Sequence, residues 1–111
     1  MLFALYYQLG KIVQALENAV RNRKSSPKRR RLPGLTLYHF YVSLYSRRVR
    51  TALYQLSLDI PLKDILADSA ACEELIKNGG LDQVPCLKIE KDGQVKWMYE
   101  SQDIIAYLKK Q

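Results

Sequence analysis

Residues 84–108 constrain the fold more than any other stretch of this chain. Val84-Pro85-Cys86-Leu87 opens a strand on a proline, Lys91-Asp92-Gly93 supplies a turn, and residues 94–99 return as a second strand. Tyr99-Glu100-Ser101 then heads a short amphipathic helix carrying Ile104, Ile105, Tyr107 and Leu108. Proline donates no ladder hydrogen bond, so it belongs at a strand start. A short Asp-Gly turn joins antiparallel strands. Ser101 suits a helix cap, and Asp103 in the first turn answers the helix dipole. An X-Pro bond is the one peptide bond that turns cis at small cost. A cis bond here would leave the backbone N–H and C=O of Val84 facing outward, where an extended peptide can pair with them as an added strand. A plain trans proline opening a strand is the other reading.

The residues upstream complete an α/β pattern. Leu35-Thr36-Leu37-Tyr38-His39-Phe40 predicts a strand of β-formers. Residues 46–56 predict a helix with Val49, Ala52, Leu53 and Leu56 on one face. Asp59–Ile65 predicts a second strand interrupted by Pro61, and Ser69 is expected to cap a helix that Gly79-Gly80 ends. The order is β-α-β-α-β-β-α, and the helical crossover makes the first two strands parallel.

The charge is uneven. Of the formal +7, all resides in residues 21–31, where Arg21, Arg23, Lys24, Lys28, Arg29, Arg30 and Arg31 meet no acid. The other eleven basic residues match the chain's eleven acids. Three segments follow: an amphipathic helix over 1–20, a basic flexible linker over 21–34, and a folded domain over 35–111. In the first, Leu2, Leu5, Tyr6, Leu9, Ile12, Val13, Leu16 and Val20 recur at helical steps. In the second, like charges favour an extended chain.

An apolar helix face followed by a polybasic run suits an anionic membrane surface, where each cation adds about 1 kcal/mol. A solvated linker behind a helix that packs or self-associates explains it equally. Nucleic acid is less favoured, because no aromatic residue interleaves the charges. No apolar run reaches the roughly 18 residues of a spanning helix. The N-terminus does not follow a secretory signal plan. Cys72 and Cys86 are the only thiols and form no C-x-x-C, so a reducing, cytoplasmic setting is expected, with attachment to the inner face of a membrane as its variant. A single histidine, His39, and no ligand cluster make a metal site unexpected, and His39 reads as a strand or core residue rather than a base.

The strand-loop-helix at 35–56, Val84-Pro85, and Glu100-Ser101 with Ile104 and Tyr107-Leu108 resemble a glutaredoxin, or equally the N-terminal domain of a glutathione S-transferase. The resemblance covers residues 35–110 and implies a thioredoxin-like fold with glutathione as ligand or co-substrate. It implies that Val84, beside Pro85, meets the cysteinyl backbone of glutathione. It implies that Glu100 and Ser101 hold the γ-glutamyl end, with Tyr45 in the wall of the site. The helix N-terminus at Ser101 suits a carboxylate, and Glu100 an ammonium. Without a ligand, Ser101 is a plain cap and Glu100 a solvated acid.

The departure lies in the loop after the first strand. Where glutaredoxins carry C-P-x-C, this chain reads Ser43-Leu44-Tyr45-Ser46. A helix N-terminus lowers a thiol pKa and favours the thiolate, but a serine hydroxyl cannot exchange with a disulfide. Ser43 and Ser46 are therefore the candidate residues in place of the redox pair. They are either simple caps or, as in serine-type transferases, donors to the glutathione sulfur. Such transferases complete their electrophile site with a helical second domain, so that activity would need a partner. Cys86 is expected to turn towards the core on the side away from Val84, and Cys72 to lie far from Ser43. Arg47, Arg48 and Arg50 read as solvated surface, with Arg47 or Arg48 alternatively meeting the glycyl carboxylate. Three functions stand open: a redox-silent glutathione-binding domain, a serine-assisted glutathione enzyme, and a non-catalytic interaction module at a membrane with an unknown protein partner.

Overall fold

A computed structural model describes residues 2–23 and 28–111. Helix α1 spans Leu2–Arg23, a turn further than the apolar repeat required. Strand β1 (Arg30–Arg31) follows, then β2 (Leu35–His39), α2 (Leu44–Gln55), β3 (Leu58–Asp59), β4 (Leu62–Asp64) and α3 (Ser69–Glu74). A wider turn over Leu75–Gly79 extends α3; then come β5 (Cys86–Lys91), β6 (Gln94–Met98) and α4 (Ser101–Lys109). Four strands form the main sheet in the order β4-β2-β5-β6. Strand β2 runs parallel to β4 and antiparallel to β5, and β5 pairs antiparallel with β6.

Alternation along β2 and β5 sorts the core into two layers. Leu35, Leu37, Leu87 and Ile89 face α2 and α4, meeting Val49, Leu53, Ile104 and Leu108. Tyr38 and Cys86 face the other way, onto Ala71 and Leu75 of α3 and its extension. Val84 packs in this second layer beside Cys86. The expectation that Cys86 turns away from Val84 is corrected: residues two apart on an extended chain share a face.

Local chemistry moved several boundaries. The start of α2 lies at Leu44, because Ser43 Oγ accepts from Ser46 N at 3.2 Å. Asp68, not Ser69, caps α3, accepting from Ala71 N at 3.1 Å. Pro61 divides the second strand into β3 and β4, and β3 pairs with β1 outside the main sheet. Arg30 and Arg31 are thus ladder residues rather than free chain. Arg31 pairs with Asp59 at 3.0 Å, and Arg30 donates to the Gln111 carbonyl at 2.8 Å. Asp92 and Gly93 both take positive φ, the conformation of a two-residue hairpin turn that follows the strand twist.

The largest correction concerns Arg50. It is 1% exposed rather than solvated. Its Nη2 and Nε donate to the Glu17 carboxylate of α1 at 2.7 and 3.1 Å. Its guanidinium also donates to the carbonyls of Phe40 and Tyr41 and, at 3.2 Å, to His39 Nδ1. Arginine has no acceptor, so His39 Nδ1 accepts and the ring proton sits on Nε2. Buried Gly10 packs α1 against the loop after β2, where a Cβ would lie 3.4 Å from Tyr41 Cβ. A buried arginine is tolerable only because every side of it is answered. Sequence periodicity placed Arg50 beside Val49, but no local signal named Glu17, which lies 33 residues away.

Candidate functional site

The start of α2, the chain before β5 and the start of α4 meet at a cleft of about 400 Å³. Its walls are Tyr45, Arg48, Gln83, Val84, Pro85, Glu100, Ser101 and Gln102. The fold brings Tyr45, Val84, Pro85, Glu100 and Ser101 together, as the sequence pattern had grouped them. The Val84–Pro85 peptide bond is cis. The preceding segment is tied to the end of β6 by Tyr99, whose hydroxyl accepts from Leu81 N at 3.3 Å and donates to Leu81 O at 3.4 Å.

Ser43 and Ser46 do not line this cleft. Ser43 is half-buried and occupied as the α2 cap. Ser46 is fully buried, and its Oγ has no hydrogen-bond partner among the described residues.

Gln83 and Gln102 were not assigned to the site from sequence, and Arg48 was named only as an alternative, with Arg47, for the glycyl carboxylate. Each stands next to a residue that was assigned: Gln83 before Val84-Pro85, Gln102 after Ser101, and Arg48 one helical turn after Tyr45. The Arg48 guanidinium lies 5.2 Å from the centre of the Tyr45 ring. The cleft therefore holds one carboxylate, one guanidinium and two side-chain amides around a backbone segment. Such a set suits a zwitterion with carboxylate and ammonium ends.

At the α4 end, Ser101 is the first helical residue and not the cap; Glu100 holds the cap position. Its side chain makes no capping hydrogen bond, and its backbone has φ 68° and ψ 112°. A non-glycine residue in that region carries a conformational cost of about 1–3 kcal/mol. The Glu100 carbonyl still starts the helix, accepting from Ile104 N at 3.0 Å.

The ionisable groups outside the cleft are poorly placed for nucleophilic work. Burial pushes the Cys86 thiol up to about 11, against a smaller lowering by a hydrogen bond with Tyr99. Burial, with Asp82 and Glu73 nearby, also raises Cys72. Burial and then the Arg50 charge hold the His39 imidazole down at about 3, so it is neutral. Among the described residues, no three His, Cys, Asp or Glu side chains group as metal ligands. None of the described helices is long and apolar enough to cross a membrane.

Residues 37–111 match the family model described as glutathione S-transferase, N-terminal domain. The chain belongs to that family, and its fold is the thioredoxin-like fold of such domains. Two similar solved structures are insect enzymes. Glutathione Transferase E6 from Drosophila melanogaster is 33% identical, with TM-score 0.52, over 68% of this chain and 34% of its own. An epsilon-class glutathione S-transferase from the housefly, Musca domestica, is 31% identical, with TM-score 0.53, over the same 68% and 34%. The chain thus spans about a third of the length of these enzymes. No curated protein matches it.

Proposed function

We propose that this domain binds glutathione in the cleft between the starts of α2 and α4 and does not perform thiol–disulfide exchange. The observation that carries the reading is the convergence of Tyr45, Val84, Pro85, Glu100 and Ser101 on one cleft. The backbone of Val84 pairs with the cysteinyl residue. The α4 N-terminus and the Ser101 hydroxyl hold the γ-glutamyl carboxylate, while Glu100 answers its ammonium. Arg48 takes the glycyl carboxylate, and the Tyr45 ring walls the site. Family membership and the printed names of the two insect enzymes support glutathione as the ligand. The absence of exchange follows from Ser43 and Ser46, which have no thiolate form to attack a disulfide. The raised pKa values of Cys72 and Cys86 give neither thiol that role.

Titration of the full chain with reduced glutathione, followed by amide NMR, tests binding. Saturable shifts at Val84, Glu100 and Ser101 are expected; unshifted resonances there end the proposal. In a coupled assay with a mixed glutathione disulfide, the rate should equal the protein-free control.

A second reading draws on Ser43. Its oxygen accepts from Ser46 N, which leaves the hydroxyl proton to donate to a glutathione sulfur. The thiolate would then attack an aromatic chloride carbon, forming the C–S bond and expelling chloride. A chlorodinitrobenzene assay that gives turnover lost in Ser43→Ala favours this reading over simple binding.

A further inference from the structure

We infer that α1 is a lipid-docking helix: its apolar stripe lies in an anionic bilayer surface while its opposite flank stays clamped to α2. Leu5, Leu9, Ile12, Leu16 and Val20 are 40–62% exposed and line up along the helix. The residues that meet the domain are others: buried Gly10 against Tyr41, and Glu17 and Arg21 at Arg50. At 100° per residue the two sets lie roughly 120° apart around the helix. The fold therefore consumes a polar edge of α1 and leaves its most apolar face in water. An amphipathic helix that packs for its own stability does the reverse.

The charge distribution selects the occupant. Beside the C-terminal half of the stripe runs an apolar groove of Val13, Leu16, Val20 and Tyr54. The guanidinium groups of Arg21 and Arg29 lie 5.0 and 5.5 Å from the Tyr54 ring centre, and Arg47 borders the same groove. Among the first 58 residues there are eleven Lys and Arg and one acid, Glu17. That acid is spent on Arg50 and Arg21. A second copy seated on the stripe would bring two arginine collars together, and the acid beside them, Glu17, is already paired. A surface of anionic headgroups above acyl chains answers both the collar and the stripe. Basic residues of β1 stay exposed on the same chain, Arg31 with its side chain 63% accessible.

Sedimentation of the full chain with phosphatidylcholine vesicles, with and without an equimolar share of phosphatidylserine, tests this. Binding is expected to the mixed vesicles alone and to weaken as salt rises, since surface charges are screened. The exposed stripe is altered by Ile12→Asp with Leu16→Asp, and the collar by Arg29→Gln with Arg47→Gln. The first pair should abolish binding. The second should weaken it about 25-fold, roughly fivefold for each charge removed near the surface. Both pairs must keep the wild-type amide spectrum in the domain; should the stripe pair unfold, the collar pair decides alone. Three results overturn the inference: no binding to either vesicle, equal binding to both, or a dimer in lipid-free solution that dissociates in the stripe variant.

Discussion

Two helix N-termini border the cleft, and they are finished differently. At α2, Ser43 caps the helix and Ser46 lies sealed beneath it. The inner face of the same helix is rooted by Arg50 to Glu17, His39 and two loop carbonyls. At α4, no side chain caps the first turn, and the residue before it sits in a costly backbone conformation. The α2 end thus answers one of its free backbone donors, Ser46 N, with its own side chain. The α4 end keeps its donors uncommitted and its backbone strained, as expected of a position shaped for an external anion. The first end is closed by its own side chain, and the second is the end at which we propose that glutathione is recognised.

The strongest way to break this contrast is to uproot α2. Arg50→Met removes one partner of a buried ion pair and leaves Glu17 only its longer contact with Arg21, at 3.4 Å. The expected loss is about 3–5 kcal/mol in urea unfolding. Amide exchange in α1 should rise with it, because the Glu17–Arg50 pair is a buried charged contact between that helix and α2. A loss under about 1 kcal/mol would mean that α1 and α2 are not coupled through this pair.

Acid should loosen the same root next. His39 is neutral in the fold, with its pKa lowered to about 3, and an unfolded histidine titrates near 6.5. Between these values the unfolded chain binds the extra proton, so stability falls as pH falls. The slope is about 1.4 kcal/mol per pH unit, or roughly 2–3 kcal/mol from pH 6.5 to 4.5. Glu74 is held down at about 2, first by its hydrogen bond with Lys88 and then by that with Tyr38, and adds a separate acid loss below about 4.5. In His39→Gln the loss above pH 4.5 should vanish while the Glu74 loss stays. Urea midpoints measured against pH distinguish the two.

The caps themselves give a matched pair of smaller effects. Ser43→Ala should cost about 1 kcal/mol of stability and leave glutathione affinity near wild type. Ser101→Ala should weaken glutathione roughly tenfold, the worth of one hydrogen bond to a charged group. Its stability should change less than that of Ser43→Ala, because Ser101 makes no cap. Unfolding curves and calorimetric titration of both variants read this directly, and the reverse pattern would dissolve the distinction between the two ends.

Much of this was legible because it is local. The hairpin needed Asp92-Gly93, the core layers needed alternation in β2 and β5, and the cleft needed Val84-Pro85 and Glu100-Ser101 at their spacing. What stayed hidden depends on residues far apart in the chain. Nothing near Arg50 marks it as buried; its position on α2 reads as solvated until α1 delivers Glu17. Nothing in Arg30-Arg31 announces a strand, because its partner is two residues of β3 created by the break at Pro61. The strain at Glu100 was also invisible, since propensity alone puts Ser101 at the cap and an acid nowhere near positive φ.

That strain gives the smallest and sharpest of these tests. Glycine accepts φ 68° without a Cβ penalty, so Glu100→Gly relieves the backbone, while the unfolded chain gains freedom and returns part of the benefit. The net should be a gain of about 0.5 kcal/mol in stability. Glu100→Ala keeps the strain and should show no gain. Both variants lose the carboxylate that answers the γ-glutamyl ammonium, so both should weaken glutathione by a similar factor. Stability then separates the pair while affinity does not. If Glu100→Gly is no more stable than Glu100→Ala, the backbone there is not strained. The open end of α4 would then be an ordinary helix start, with no cost set aside for a ligand.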